Sequence, residues 1–210
     1  TMLAFRKAIE QGVDYIEMDL HLTKDREIVI IHDETLERTT NGKGLVWDQT
    51  LAELRQYDAG LGEHIPTLVE GVDLVRPTPV RLCLEMKYEV ERTYTDKYLE
   101  EGLATTEAVI KFLDRSGFKD RVVLTSFSPI ILQHIKELEP RLPLVMDPYP
   151  QDGSLTPKEV MAQVLPSRAN IVAYYYSSID EAFMEESRLC GLMTWAWDPD
   201  EPDELRRLVR

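Results

Sequence analysis

The stretch Asp14–Asp33, DYIEMDLHLTKDREIVIIHD, decides how the rest of the chain is read. Over Tyr15–Leu22 the apolar residues Ile16, Met18, Leu20 and Leu22 alternate with Glu17, Asp19 and His21. That is the two-residue period of a strand with one buried face. Ile28–Ile31 is a run of β-branched residues, which favour strands. Only Thr23–Glu27 separates the two segments, too short for the crossover of about a dozen residues that a parallel pair requires. The expectation is an antiparallel hairpin. A turn near Lys24–Asp25 places Glu17 opposite or diagonal to His32, with Cβ atoms roughly 5–8 Å apart. Acids alternating along a strand ordinarily face water, but here a buried-looking run leads directly into His32-Asp33. Glu17, Asp19 and His32 therefore form a candidate site, with His21 expected at its solvated rim.

The chain has 210 residues, a hydrophobic fraction of 43% and a net charge of −14. This length suits one large domain or two small ones, and α/β barrels of this size are usually single; the apolar content is ample for a core. The acidic residues are spread throughout, which disfavours nucleic acid or an anionic membrane surface as partner and suits a site that recruits a cation. Cys83 and Cys190 stand far apart without metal-type spacing, so a reducing, cytoplasmic setting is the simplest expectation. No apolar run approaches the 18 or so residues of a membrane span, so no transmembrane segment is expected.

Working outward, Met2–Gln11 reads as a helix with Thr1 as N-cap and Gly12 as its stop. Residues 34–79 read as a loop-and-helix excursion, with a turn at Asn41-Gly42, a helical stretch at Leu51–Tyr57 and the segment Ile65–Arg76. From Val80 onward strand and helix patterns alternate, the signature of a parallel sheet with crossover helices. The strands are expected at Val80–Lys87, Arg121–Ser126, Leu142–Asp147, Asn170–Tyr176 and Leu192–Trp197. The helices are expected at Thr95–Ser116, Pro129–Leu138, Pro157–Val164, Ile179–Leu189 and Asp203–Arg210. The fold class is thus α/β, one barrel-type domain over residues 1–210 with a small insertion at about 34–79.

A second chemical cluster is RLCLEMK, Arg81–Lys87. Glu85 and Lys87 alternate onto one strand face, about 7 Å apart by the strand rise. A surface ion pair there would contribute only a few tenths of a kcal/mol. At the carboxyl end of a barrel strand the same pair lies where active sites form. Three carboxylates, Glu17, Asp19 and Glu85, converging at ~4 Å would repel by several kcal/mol per pair. Such a cluster takes up protons or binds a divalent cation through oxygen. Lys87 beside it favours an anionic substrate, phosphate being the obvious choice.

These motifs in order, E-x-D, H-D, R-T-T-x-G-x-G (Arg38–Gly44), I-P-T-L (Ile65–Leu68) and E-x-K, resemble the glycerophosphodiester phosphodiesterase family over essentially the whole chain. The resemblance implies a (β/α)8 TIM-type barrel that hydrolyses glycerophosphodiesters to an alcohol and glycerol 3-phosphate with Mg²⁺ or Ca²⁺. On matching positions it implies that Glu17, Asp19 and Glu85 are the metal ligands and His32 a catalytic acid–base group. It likewise implies that Lys87 faces the phosphate and that Trp197 lines the substrate pocket. The family also carries a His-Arg pair on a strand upstream of the position of Thr1, and a closing strand beyond that of Arg210. Both are expected outside these 210 residues, leaving the barrel without its first and last strands here. Arg26 stands where the family commonly has a turn glycine, so slight strain is expected there. A phospholipase-type lyase yielding a cyclic phosphate, or a non-catalytic binding protein lacking the His-Arg pair, are the alternatives.

Overall fold

The computed structural model describes residues 1–87, 96–150 and 152–209. The chain divides into two compact units, Thr1–Leu124 and Thr125–Arg210.

In the first unit, α1 (Met2–Gln11) is opened by Thr1, whose hydroxyl accepts from the Ala4 amide, and closed by Gly12 at φ 78°. The hairpin follows as β1 (Tyr15–Leu22) and β2 (Ile28–Ile30), paired antiparallel with Leu20 opposite Ile30 and Leu22 opposite Ile28. Arg26 takes the left-handed conformation at φ 66°, the cost expected where glycine is absent. Helix α2 is a single turn, Leu51–Leu54, and α3 is Leu68–Val75. Then come β3 (Arg81–Met86), α4 (Asp96–Ser116) and β4 (Val122–Ser126), whose last two residues belong to the second unit. The strand order is β2-β1-β3-β4, and β1 and β3 run parallel. The expected start of α4 at Thr95 lies outside the described residues.

Both faces of β3 are buried, as a parallel strand covered by helices requires. Met18, Leu20, Leu82, Leu84 and Met86 are all about fully buried, each stabilising the unit by roughly 1.5–3 kcal/mol. Helix α3 packs closely on β1 and β2 at Gly71, where a Cβ would lie 3.0 Å from Met18 Cε and 3.1 Å from Ile30 Cδ1. The excursion has a core of its own, made by Leu36, Val46, Leu54 and Ile65 against Val29 and Ile31. Its Ile65–Leu68 segment runs beside β2: the Ile30 amide donates to the Pro66 carbonyl, and Val29 bridges to Thr67.

The second unit repeats helix and strand: α5 (Pro129–Leu138), β5 (Leu144–Met146), α6 (Pro157–Val164), β6 (Ile171–Tyr175), α7 (Glu181–Leu189), β7 (Met193–Trp197) and α8 (Pro202–Leu208). Strands β5, β6 and β7 are parallel neighbours in that order. Strand β5 is shorter than its hydrophobic run because Pro143 cannot donate to a ladder. Helix α7 starts at Glu181 because the Asp180 side chain accepts from the Phe183 amide. Helix α8 starts at Pro202, a residue preorganised for a first helical position; the expected end at Arg210 lies outside the described residues. Among the described residues no helix is long and apolar enough to cross a membrane.

Candidate active site

Glu17 and Asp19 are two apart on β1 and so share a face. Asp19 pairs in register with Glu85 on β3, and Glu17 with Cys83. One oxygen from each of Glu17, Asp19 and Glu85 lies within 4.8 Å of the others. Glu85 is buried and Glu17 exposed, so the cluster opens toward solvent on one side. Lys87 immediately follows β3. Its Nζ lies 2.9 Å from Asp19 Oδ1 and 2.8 Å from Glu85 Oε1, with a side chain only 9% exposed. Burial alone would pull this ammonium down, but the Glu85 and Asp19 carboxylates outweigh it and hold its pKa above the ordinary lysine value. Three carboxylates and one ammonium still leave two formal negative charges. All three groups offer hard carboxylate oxygens, a donor set that fits a hard divalent cation.

His32 lies just past β2, where the ladder continues for one further bond from the Ile31 amide to the Asp19 carbonyl. Its Nδ1 is 2.6 Å from Asp33 Oδ1, and its Nε2 is 3.3 Å from Lys87 Nζ. Arg38 grips Asp33 with two bonds of 2.6 Å, Nε to Oδ2 and Nη2 to Oδ1. That guanidinium holds the Asp33 carboxyl well below the usual carboxylate range against the opposing effect of partial burial, and His32 adds to the lowering. A cavity of about 580 Å³ opens over Glu17, Asp19 and His32, walled by Thr39, Thr40 and Ile65. That size is within the range of small-molecule sites, roughly 300–1,000 Å³.

His21 is not at a solvated rim. It is 5% exposed, and its Nε2 lies 3.4 Å from the His32 carbonyl oxygen. Burial pushes its pKa down to about 4, partly offset by that hydrogen bond. Alternation along β1 identified its face but carried no information on depth. The Asp33–Arg38 pair was also missed: it sits in a loop with no periodicity, and its only signal is an acid beside a histidine with an arginine five residues on. Glu70 belongs to a capping box at the start of α3 and pairs with Arg55 at 2.7 Å, a role its T-x-x-E spacing signals. Trp197 closes β7 in the second unit, its ring 5.7 Å from Tyr175 and 6.4 Å from Phe127, both edge to face.

Comparison with known proteins adds an independent line. The model of the Glycerophosphoryl diester phosphodiesterase family matches residues 1–210. A glycerophosphodiester phosphodiesterase of Caldanaerobacter subterraneus subsp. tengcongensis is 32% identical over 217 residues, covering all of this chain and 84% of that protein. Among solved structures, a phosphodiesterase of Oleispira antarctica in complex with the product sn-glycerol-3-phosphate aligns with TM-score 0.84 at 25% identity. It is covered to 82% by the whole of this chain. A glycerophosphodiester phosphodiesterase from Thermotoga maritima shares the fold, with TM-score 0.77 at 22% identity, all of this chain covering 84% of it. The α/β fold is accordingly of TIM-barrel type. With a match that runs from Thr1 to Arg210, the chain belongs to the glycerophosphoryl diester phosphodiesterase family.

Proposed function

We propose that this chain hydrolyses glycerophosphodiesters to an alcohol and glycerol 3-phosphate with the help of a divalent cation, Mg²⁺ or Ca²⁺. The observation that carries the reading is the meeting of Glu17, Asp19 and Glu85 with Lys87 and His32, beside a cavity lined by Glu17, Asp19 and His32, in a chain matched to the family over its whole length. The cation ligands are Glu17, Asp19 and Glu85. A bound cation supplies there polarisation of the phosphoryl oxygens and a lowered pKa for an attacking oxygen.

The remaining work falls to the protein's own side chains. The Lys87 ammonium, held at the edge of the carboxylate cluster, attracts the phosphate and orients it. As the phosphate oxygens draw that ammonium, His32 Nε2 is released from its contact with Lys87 and takes up a proton from water. His32 then protonates the leaving alkoxide from Nε2, with Asp33 at Nδ1 stabilising the imidazolium.

The test is ³¹P NMR of glycerophosphocholine incubated with the protein and Mg²⁺ or Ca²⁺. Glycerol 3-phosphate is the expected product, lost after exhaustive EDTA treatment and restored by metal. Full turnover after chelation would remove the cation from the reading, and accumulation of a cyclic phosphate would make the enzyme a lyase.

A further inference from the structure

Arg38 is 61% exposed, and exposed ion pairs contribute little to stability. Its geometry is nevertheless tight: two bonds of 2.6 Å fix both oxygens of Asp33, the planar bidentate arrangement that a guanidinium provides. Asp33 in turn presents Oδ1 to His32 Nδ1 at 2.6 Å. An ionised carboxylate only accepts hydrogen bonds, so Nδ1 must carry the proton. Arg38 Nη2 also approaches Nδ1, at 3.1 Å. It cannot donate to a nitrogen that already bears hydrogen; one of its two hydrogens goes to Asp33 Oδ1. The neutral ring therefore keeps its lone pair on Nε2, which accepts from Lys87 Nζ at 3.3 Å. Of the two ring nitrogens, the one toward the carboxylate cluster is left able to take and release a proton.

We propose that Arg38 is a positioning residue for His32, acting through Asp33: by locking the Asp33 carboxylate it fixes the Nδ1–H tautomer and the plane of the imidazole. This rests on the reading of His32 as the proton-transferring group. Arg38 makes no contact with the substrate in this role. Without its guanidinium the Asp33 side chain can rotate away, and the ring is free to exchange tautomers and turn. A misplacement of about 1 Å at a reacting group costs on the order of a hundredfold in rate.

The experiment is long-range ¹H–¹⁵N correlation on imidazole-labelled full chain without substrate, at a pH where His32 is neutral, together with steady-state kinetics. The His32 signals are assigned by their loss in His32→Ala. Wild-type His32 is expected as the Nδ1–H tautomer, and Arg38→Ala as a tautomer mixture with kcat lowered about ten- to a hundredfold and KM unchanged. Arg38→Lys, which restores the charge but only one bond, recovers part of both signals and guards against misfolding of the alanine variant. A wild-type Nε2–H tautomer overturns the proposal. So does an unchanged tautomer in the Arg38 variants, whatever happens to thermal stability. The tautomer is read in the absence of turnover, so a chain with no phosphodiesterase activity would refute the function without deciding this point.

Discussion

Asp19 and Glu85 are register partners across the parallel β1–β3 ladder, and the Lys87 ammonium lies within 3 Å of a carboxylate oxygen of each. The cation of the protein and the cation proposed to be bound thus compete for the same two carboxylates, and the first two predictions follow from that competition.

Glu85→Gln preserves size but removes a charged oxygen ligand. Calorimetric titration with Mg²⁺ should show Kd raised about tenfold or more, a loss of at least 1.4 kcal/mol. Thermal unfolding should change little, because Lys87 retains Asp19. An unaltered Kd would take Glu85 out of the ligand set.

Lys87→Met leaves Asp19 and Glu85 facing one another without their ammonium. Breaking a largely buried ion pair costs about 3–5 kcal/mol, so the metal-free variant should melt earlier than wild type. Added Mg²⁺ should raise its Tm by more than it raises that of wild type, since the ion no longer competes with the side chain. In kinetics KM should rise, reflecting the lost phosphate contact. Equal Mg²⁺ shifts in both proteins would show that ammonium and metal do not share these carboxylates.

His32→Ala should lower kcat by about 10²–10⁴ with little change in KM, the usual contribution of one acid–base group. A nitrophenyl ester, whose leaving group needs no proton, should be spared much of that loss. Equal losses on good and poor leaving groups would assign His32 to the base or to a structural role.

His21 gives the pH dependence of stability a defined window. Burial lowers its folded pKa to about 4, while the unfolded chain titrates near the ordinary histidine value of 6.5. Between these values the unfolded state binds more protons, so stability rises with pH. The contribution is complete above about pH 6.5 and is lost progressively as pH falls toward 4, on the order of 3 kcal/mol in all. His21→Gln keeps a donor for the His32 carbonyl but does not titrate. Urea unfolding at stepped pH should show a flatter profile for the variant between pH 4 and 6.5; parallel profiles would place the titration elsewhere.

What could be read from the sequence divides along physical lines. Periodic elements declared themselves: the alternation of Tyr15–Leu22, the short Thr23–Glu27 link that forbids a parallel pair, and Met2–Gln11 between Thr1 and Gly12. The shared face of Glu17 and Asp19 was legible for the same reason, whereas their meeting with Glu85 depends on β1 and β3 being neighbours, which periodicity does not state and only the family resemblance implied. Depth and loop geometry were not legible. Nothing in the sequence distinguishes His21 as buried from His21 as exposed, because packing above the strand decides it. The Asp33–Arg38 grip depends on a loop whose path has no repeat to read.

The small core of the 34–79 excursion borrows Val29 and Ile31 from the strand that leads to His32. Placement of the imidazole is therefore tied to the cooperativity of that cluster, whereas Glu17, Asp19 and Glu85 are held by the β1–β3 ladder. Regions of one domain can open with different free energies, and a surface excursion belongs at the low end. Amides such as those of Leu36 and Val46, which bond within the excursion, should exchange with deuterium before those of β1 and β3. In that partly open state the carboxylates would still hold a cation while the acid–base group had drifted away, so inactivation by mild denaturant should precede loss of metal affinity.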